Sequence, residues 1–210
     1  MKEKYQIEYE QSTDCFWAKE PAKYVRLFTD KYIQNLNGFH ILDLGAGEGK
    51  NAVYLANKGA NVLGVDISPI ALSRFNKQPN YLSAKGNINI ECKDIRECSF
   101  EKESFDLVVA YGIFHCLSSR KEIAEYISRV KSWIKKNGYF IIVTFTDEIA
   151  PPDLQSYLEY ESFLKEGELE SLFNDWKILE KENDVITETH PTSKIEHEHS
   201  LVRLIVQNHE

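Results

Sequence analysis

The sequence has no long apolar run. Its longest apolar stretches are short, such as 107–110 and 139–143, whereas a membrane-spanning helix needs about 20 apolar residues. The N-terminal residues lack the apolar core of a signal peptide. With 42% hydrophobic and 28% charged residues among 210, the composition is that of a globular protein. A cytoplasmic protein with no membrane partner is therefore expected.

A basic excess and a metal-binding cysteine pattern are also missing. The chain has 33 acidic and 25 basic side chains, a net charge of −8, whereas nucleic-acid binders are usually basic. The four cysteines contain no CxxC pair, and the separation of Cys92 and Cys98 matches no common metal spacing. These features favour a small-molecule partner over nucleic acid, and free thiols in a reducing compartment.

Five short apolar runs alternate with helical segments in the middle of the chain. They cover residues 39–44, 61–65, 88–92, 105–110 and 139–145. Such runs are typical of parallel strands buried on both faces. Ser68-Pro69 begins one intervening helix, and the capping-box spacing of Ser119 and Glu122 begins another that Gly138 is expected to end. The pattern predicts a doubly wound, Rossmann-like α/β sheet.

The two ends of the chain have different patterns. Residues 1–38 are rich in aromatics and helical in tendency, whereas 177–185 and 200–206 look like two strands with no long helix between them. An antiparallel pair at the sheet edge would explain the second pattern. We expect one domain, with a helical cap over 1–38, a cofactor-binding core over 39–146 and an acceptor-side segment with a hairpin over 147–210.

A glycine-rich loop follows the first strand, in the segment Asp43-Leu44-Gly45-Ala46-Gly47-Glu48-Gly49. Glycines let the backbone turn sharply and approach a ligand, and the next helix points its free N–H groups at that ligand. Asp66, at the end of the second strand, lies 21 residues after Gly45. At about this spacing an acidic side chain meets the ribose hydroxyls of an adenosine cofactor. For both Asp43 and Asp66 the alternative is a helix cap or a solvated strand end.

Two details of the loop distinguish between cofactors. Its spacing is GxGxG, and Lys50 stands where the last glycine of the dinucleotide fingerprint GxGxxG would fall. Asp43 is an acid that is unfavourable beside a pyrophosphate and favourable beside an ammonium group. Both details favour S-adenosylmethionine, whose tail has an amine and a carboxylate, over a nicotinamide dinucleotide.

Over residues 38–146 the chain resembles the class I S-adenosylmethionine-dependent methyltransferases. The resemblance includes the glycine loop, the segments 64–68 and 93–95, and the fourth-strand segment 105–112. It implies a seven-stranded sheet whose last two strands form a hairpin, and an acid at position 94 near the adenine. The implied cofactor-binding residues are Asp43, Gly45, Ala46, Gly47, Asp66, Ile67, Asp94, Ile95 and Tyr111.

A narrower resemblance in the last third is to the tellurite-resistance methyltransferase branch. It includes residues 165–169, Trp176, 183–185 and 188–190. The resemblance implies a soft oxyanion or another small metabolite as methyl acceptor. It also implies that His190 and Arg203 lie near the acceptor, where an arginine can hold an oxyanion with two hydrogen bonds.

Several candidate site residues have two interpretations. Asp94 either contacts the cofactor or caps the turn before Arg96. His115 either orients or deprotonates an acceptor, as His190 would, or is a packed ring. Trp17, beside Phe16, either covers the cofactor and acceptor or packs on the sheet.

The histidines near the C-terminus also raise the question of a metal. His197 and His199 are two residues apart and would share one face of a strand, but no third ligand follows at a convincing spacing. The sequence therefore predicts no metal site. It leaves the oligomeric state open between monomer and homodimer.

A methyltransferase needs little covalent chemistry from its protein. The work is alignment of acceptor, methyl and sulfur, and a base is needed only for an acceptor that carries a proton. Two other functions stay open: a nicotinamide-dependent oxidoreductase, and a regulatory protein that binds S-adenosylmethionine without catalysis.

Overall fold

The computed structural model describes residues 2–11, 15, 19–149, 162–189 and 196–209. Within them lie six helices: α1 Lys2–Gln11, α2 Lys23–Lys31, α3 Lys50–Asn57, α4 Pro69–Leu72, α5 Arg120–Trp133 and α6 Glu168–Ser171. The strands are β1 His40–Leu44, β2 Asn61–Asp66, β3 Ile88–Cys92, β4 Phe105–Tyr111, β5 Ile134–Phe145, β6 Lys177–Thr189 and β7 Glu196–Gln207.

The seven strands form one mixed sheet in the order β3-β2-β1-β4-β5-β7-β6. The first five are parallel, and β7 is antiparallel to both β5 and β6. This arrangement confirms the predicted Rossmann-like sheet and its antiparallel C-terminal hairpin.

Apolar side chains cover both faces of the central strands. Leu42 and Leu44 in β1 join a cluster with residues of α5, whereas Ile41 joins a second cluster with residues of α2 and α3. Successive residues of a strand point to opposite faces, so the two clusters lie on the two sides of the sheet. Burial on both faces explains why these strands are continuous apolar runs in the sequence.

Three elements differ from the sequence-based expectations. Helix α5 ends at Trp133 rather than near Gly138, because Ile134 is buried and pairs with Phe105, which requires extended backbone. Strand β3 is an edge strand and mostly exposed, not buried on both faces. Strands β6 and β7 are longer than predicted, because their polar residues pair with each other beyond the body of the sheet.

The predicted start of α5 is confirmed by its hydrogen bonds. Ser119 Oγ accepts the Glu122 N–H at 3.2 Å, and Glu122 Oε2 accepts the N–H of the preceding Ser118 at 2.6 Å. The first bond satisfies an amide group that a helix start leaves without a helical partner, and the second fixes the residue just before the N-cap. Among the described residues, no helix has both the length and the apolar character that crossing a membrane requires. The proposed division of the domain into cap, core and acceptor-side segment stays a prediction.

A buried arginine connects α1 to the glycine loop. Arg74 Nη1 lies 2.8 Å from Glu48 Oε1, and Arg74 Nη2 donates to the carbonyl oxygen of Tyr9 in α1. Gln78 Nε2 adds a 3.0 Å bond to the carbonyl oxygen of Glu48. The side chains of Arg74 and Glu48 are 9% and 2% exposed, so this ion pair is far less screened than one at the surface.

Replacing Arg74 should destabilise the protein and loosen α1. The variant Arg74→Met leaves the Glu48 carboxylate buried beside an apolar side chain, at a cost of about 3 kcal/mol or more in the free energy of unfolding. Urea denaturation measures this loss, and limited proteolysis should cleave the N-terminal segment sooner. The matched control is Lys121→Met, which removes a cation whose side chain is 86% exposed and should cost less than about 1 kcal/mol. Equal losses in the two variants would contradict a structural role for the buried pair.

Candidate functional site

The candidate site lies where strand addition reverses direction, between β1 and β4. From β1 the chain builds outward through β2 to β3, and β4 and β5 then add on the other side of β1. In such sheets the crevice outside the carboxyl ends of the central strands is where ligands bind. Asp43, Asp66 and Tyr111 lie at or next to the carboxyl ends of β1, β2 and β4, so the fold brings these three predicted site residues to one edge.

The glycine loop is held in a conformation that needs its glycines. Gly45, Gly47 and Gly49 have φ angles of 70°, 55° and 85°, in the left-handed region that other residues rarely adopt. The N–H groups of Gly45 and Ala46 donate to the carbonyl oxygen of Val65 at 2.9 and 3.0 Å. These bonds fix the loop against the end of β2, directly before α3 begins.

Asp43 has a buried and incompletely paired carboxylate. Asp43 is only 1% exposed. Among the described residues, its Oδ2 atom has no hydrogen-bond partner. Burial first, and then repulsion from Asp66, raise the pKa of Asp43 to about 7, although the N–H of Ala52 and the charge of Lys50 act in the opposite direction. A buried carboxylate with a vacant oxygen fits a cationic hydrogen-bond donor. The ammonium group of S-adenosylmethionine is such a donor.

The Asp66 carboxylate accepts hydrogen bonds both from the glycine loop and from the turn that follows β2. Its Oδ2 accepts the Gly47 N–H and its Oδ1 accepts the Ser68 N–H, both at 2.8 Å. Ser68 in turn caps α4 by accepting the Ala71 N–H at 3.2 Å. Burial raises the pKa of Asp66, and its backbone hydrogen bonds limit the rise. A carboxylate oxygen has further lone pairs, so these bonds leave room for ribose hydroxyls, and that role stays a prediction.

Asp94 caps the turn before Arg96, as the second interpretation of this residue predicted. Its Oδ1 accepts the Arg96 N–H at 2.9 Å, and its Oδ2 lies 2.6 Å from Arg96 Nη2. Ile95 behind it is buried, and Ile67, which follows Asp66, is partly buried. The cap explains why an acid stands at position 94. Its predicted contact with the adenine, and those of Ile67 and Ile95 with the cofactor, stay predictions.

Tyr111 and Arg203 meet across three strands. The register pairs Tyr111 in β4 with Val143 in β5, and Val143 with Arg203 in β7, and the Arg203 guanidinium lies near enough to the Tyr111 hydroxyl to act against the rise that burial causes in its pKa. Arg203 Nη1 also lies 3.0 Å from Glu182 Oε2 and 2.6 Å from Asp184 Oδ2. These two carboxylates offset the positive charge that an oxyanion would need. The predicted acceptor contact of Arg203 must therefore compete with them.

His115 lies in a stack of rings at the same edge of the sheet. It is 3% exposed, and the Phe145 ring lies between it and His199, with centroid distances of 4.5 and 4.3 Å. The Ser162 hydroxyl donates to the backbone carbonyl of His115 at 2.9 Å. This packing agrees with the interpretation of His115 as a packed ring, and its catalytic role stays a prediction. Trp17 and His190 lie outside the described residues.

Two site features were missed from the sequence. Arg74 pairs with Glu48 of the glycine loop, and Lys50, the first residue of α3, is near enough to Asp43 and Glu188 to interact with both charges. Burial lowers the pKa of Lys50, and Asp43 and Glu188 limit the fall. The position of Lys50 directly after the loop was a signal for its closeness to Asp43. Nothing in the local sequence pointed to Arg74.

The comparisons with known proteins agree with this geometry. A family model described as a methyltransferase domain matches residues 41–138. The probable S-adenosyl-L-methionine-dependent methyltransferase TehB of Haemophilus influenzae Rd is 29% identical over 158 residues, 73% of this chain and 51% of that protein. An uncharacterized methyltransferase of Schizosaccharomyces pombe is 36% identical over 37% of this chain and 52% of its own length. The chain thus spans about half the length of these curated relatives.

Solved structures show the same fold. The crystal structure of TehB from Haemophilus influenzae matches with a TM-score of 0.74 and 21% identity, over 92% of this chain and 64% of that one. A Burkholderia thailandensis 1,6-didemethyltoxoflavin-N1-methyltransferase with bound S-adenosylhomocysteine matches with a TM-score of 0.65 and 16% identity, over 100% and 87%. Together with the family match, these findings confirm the predicted resemblance to methyltransferases.

The charge on Asp43 should lower the stability of the cofactor-free protein as the pH rises. The pKa of Asp43 in the folded protein is about 7, above the ordinary value of 3.8. At pH values between the two, the folded state therefore keeps a proton that the unfolded state releases. Stability therefore falls as the pH rises through this range. Asp43→Asn removes the effect and keeps an acceptor for the Ala52 N–H. Its gain in Tm over the unchanged chain should be larger at about pH 8 than at about pH 5.

The matched control for this measurement is Asp30→Asn, at an exposed position of α2. It should give the same small change in Tm at both pH values. A gain in Asp43→Asn that is equal at both pH values would show that the carboxylate is not ionising in this range.

Proposed function

We propose that this chain, whose residues 41–138 match the model of a methyltransferase domain, transfers the methyl group of S-adenosylmethionine to a small-molecule acceptor. The observation that carries the proposal is the buried Asp43 carboxylate at the start of the glycine loop, one oxygen of which has no hydrogen-bond partner among the described residues. A dinucleotide places a pyrophosphate at this position, which a carboxylate repels. An amino-acid tail places an ammonium group there, which it attracts.

The residues around Asp43 have distinct roles in holding the cofactor. Asp43 binds the ammonium group, and the backbone of Gly45, Ala46 and Gly47 lies against the amino-acid tail. Asp66 binds the ribose hydroxyls through its remaining lone pairs. The adenosine is bordered by Ile67, which follows β2, and by Asp94 and Ile95, which follow β3. Tyr111 closes the pocket at the end of β4.

When bound, S-adenosylmethionine supplies an electrophilic methyl group on its sulfonium. The protein then aligns the acceptor and excludes water, and alignment is worth several kcal/mol of the barrier. Burial raises the pKa of Tyr111, so its hydroxyl stays protonated at neutral pH and acts as a donor rather than a base. His115 is the closest candidate base on the described part of this edge, and an acceptor that carries no proton does not need it.

The acceptor is proposed to bind at the edge formed by Tyr111, His115, Phe145 and Arg203. Trp17 and His190, outside the described residues, are proposed to contact it as well. A thiol or another small metabolite fits a site with aromatic rings and few free charges, and a soft oxyanion fits it if it displaces Glu182 or Asp184 from Arg203. The TehB name of the relatives supports testing soft oxyanions first.

A panel of adenosine compounds tests the assignment of the two carboxylates. Calorimetric titration should detect binding of S-adenosylmethionine, S-adenosylhomocysteine and 5′-methylthioadenosine, the last of which lacks the amino-acid tail. Asp43→Asn should weaken the first two by roughly tenfold or more, the loss of about one charge-assisted hydrogen bond, and change the third little. Asp66→Asn should weaken all three.

The same titration includes NAD, and its result separates the alternatives. Binding of NAD without binding of the adenosyl compounds would overturn the methyltransferase proposal. Equal losses for 5′-methylthioadenosine and S-adenosylhomocysteine in Asp43→Asn would remove the ammonium contact from Asp43 while leaving the cofactor assignment in place.

Turnover is tested by formation of S-adenosylhomocysteine with an acceptor panel of selenite, tellurite and small thiols. We expect at least one acceptor to be methylated, with a kcat/KM that falls in His115→Gln only if that acceptor carries a proton. Tight cofactor binding with no methylation of a broad acceptor panel would favour the regulatory alternative.

A further inference from the structure

The hairpin of β6 and β7 brings together three side chains that bind metals. Alternation along β7 puts His197 and His199 on one face. The antiparallel register pairs Glu188 in β6 with His197, and Ile186 with His199. Paired residues on neighbouring strands point to the same face, so Glu188 joins the two histidines. Glu188, on the neighbouring strand, is therefore a third possible ligand. The spacing of the histidines along the sequence did not reveal it.

The three side chains are close and largely removed from water. One ligand atom from each of Glu188, His197 and His199 lies within 4.8 Å of the others. His199 and His197 are 1% and 9% exposed, and the Glu188 side chain is 26% exposed. Ligand atoms at about 2.1 Å from a tetrahedral ion are about 3.4 Å apart, so binding requires the ligand atoms to approach one another by up to about 1.4 Å, within the reach of side-chain rotation.

The surroundings of the cluster favour a fixed site over a solvated group of charges. Phe145 stacks on His199 at 4.3 Å, and the His197 and His199 rings meet edge to face at 4.8 Å. Lys50, at the start of α3, is the cation that interacts with Glu188 from the cofactor side. A partly buried carboxylate beside two buried imidazoles gains most from a cation that all three can bind.

We propose that Glu188, His197 and His199 bind a divalent transition-metal ion of the zinc class. Two imidazoles and one carboxylate form the ligand set of open zinc sites, in which another position remains for water or a bound molecule. The ring stack from His199 through Phe145 to His115 places this ion at the acceptor edge. An acceptor with a thiolate or oxyanion donor is the ligand for its open position, and this last step rests on the proposed function.

Cobalt provides a spectroscopic test that does not depend on turnover. The untagged full chain is freed of metal with a chelator and titrated with Co²⁺, whose visible absorption reports imidazole coordination of low symmetry, and Zn²⁺ is then added as a competitor. We expect one Co²⁺ per chain, displaced by Zn²⁺. His197→Gln, His199→Gln and Glu188→Gln should each weaken binding by more than about tenfold, the loss that even outer-shell changes can cause.

The matched control is His40→Gln, which alters an exposed histidine at the start of β1, away from the hairpin. It should bind Co²⁺ like the unchanged chain, and S-adenosylhomocysteine binding checks the folding of every variant. No Co²⁺ absorption, or unchanged binding in folded variants of the three residues, would overturn the metal site. Metal binding in a chain that binds no adenosyl compound would overturn the proposed function and leave the metal site standing.

Discussion

Two carboxylates, Asp43 and Asp66, are buried near each other at the carboxyl ends of β1 and β2. Each is held there by backbone N–H groups: Ala52 for Asp43, and Gly47 and Ser68 for Asp66. The glycine loop must adopt positive φ angles for the Gly47 N–H to reach Asp66. The shape of the loop, the start of α3 and the charge of the pocket therefore all depend on this pair.

The pair is electrostatically unfavourable in the cofactor-free protein. Burial and repulsion from Asp66 raise the pKa of Asp43, which means that keeping this acid at the strand end lowers the stability of the protein, and its Oδ2 atom has no hydrogen-bond partner among the described residues. Functional sites are often the places where such a cost is tolerated. A bound cation relieves it, and the gain appears as affinity for that cation.

The N-terminal helix is tied to this pocket through Arg74. The guanidinium joins Glu48 of the glycine loop to the Tyr9 carbonyl of α1, and Gln6 of α1 lies 3.4 Å from Ser68, beside Asp66. The position of α1 and the conformation of the loop are thereby linked by buried hydrogen bonds.

The proposed acceptor edge, formed by Tyr111, His115, Phe145 and Arg203, depends on the place of β7 in the sheet. Because β7 is inserted between β5 and β6, Arg203 reaches Tyr111 and His199 reaches Phe145, although each pair is far apart in the sequence. The carboxylates of Glu182 and Asp184 on β6 then decide how much positive charge Arg203 presents. An acceptor at this edge meets aromatic rings and largely neutralised charges.

Local sequence patterns were enough to predict the features that depend on neighbouring residues. Apolar runs and their spacing predicted the parallel strands, and the glycine loop with Asp43 and Asp66 predicted the cofactor class, because strand, turn and helix geometry is set by neighbouring residues. The end of α5, the charge state of Asp43, the partners of Arg203 and the meeting of Glu188 with two histidines were decided only by the tertiary structure. Each of these depends on burial and on cross-strand register, which bring together residues that no local pattern connects.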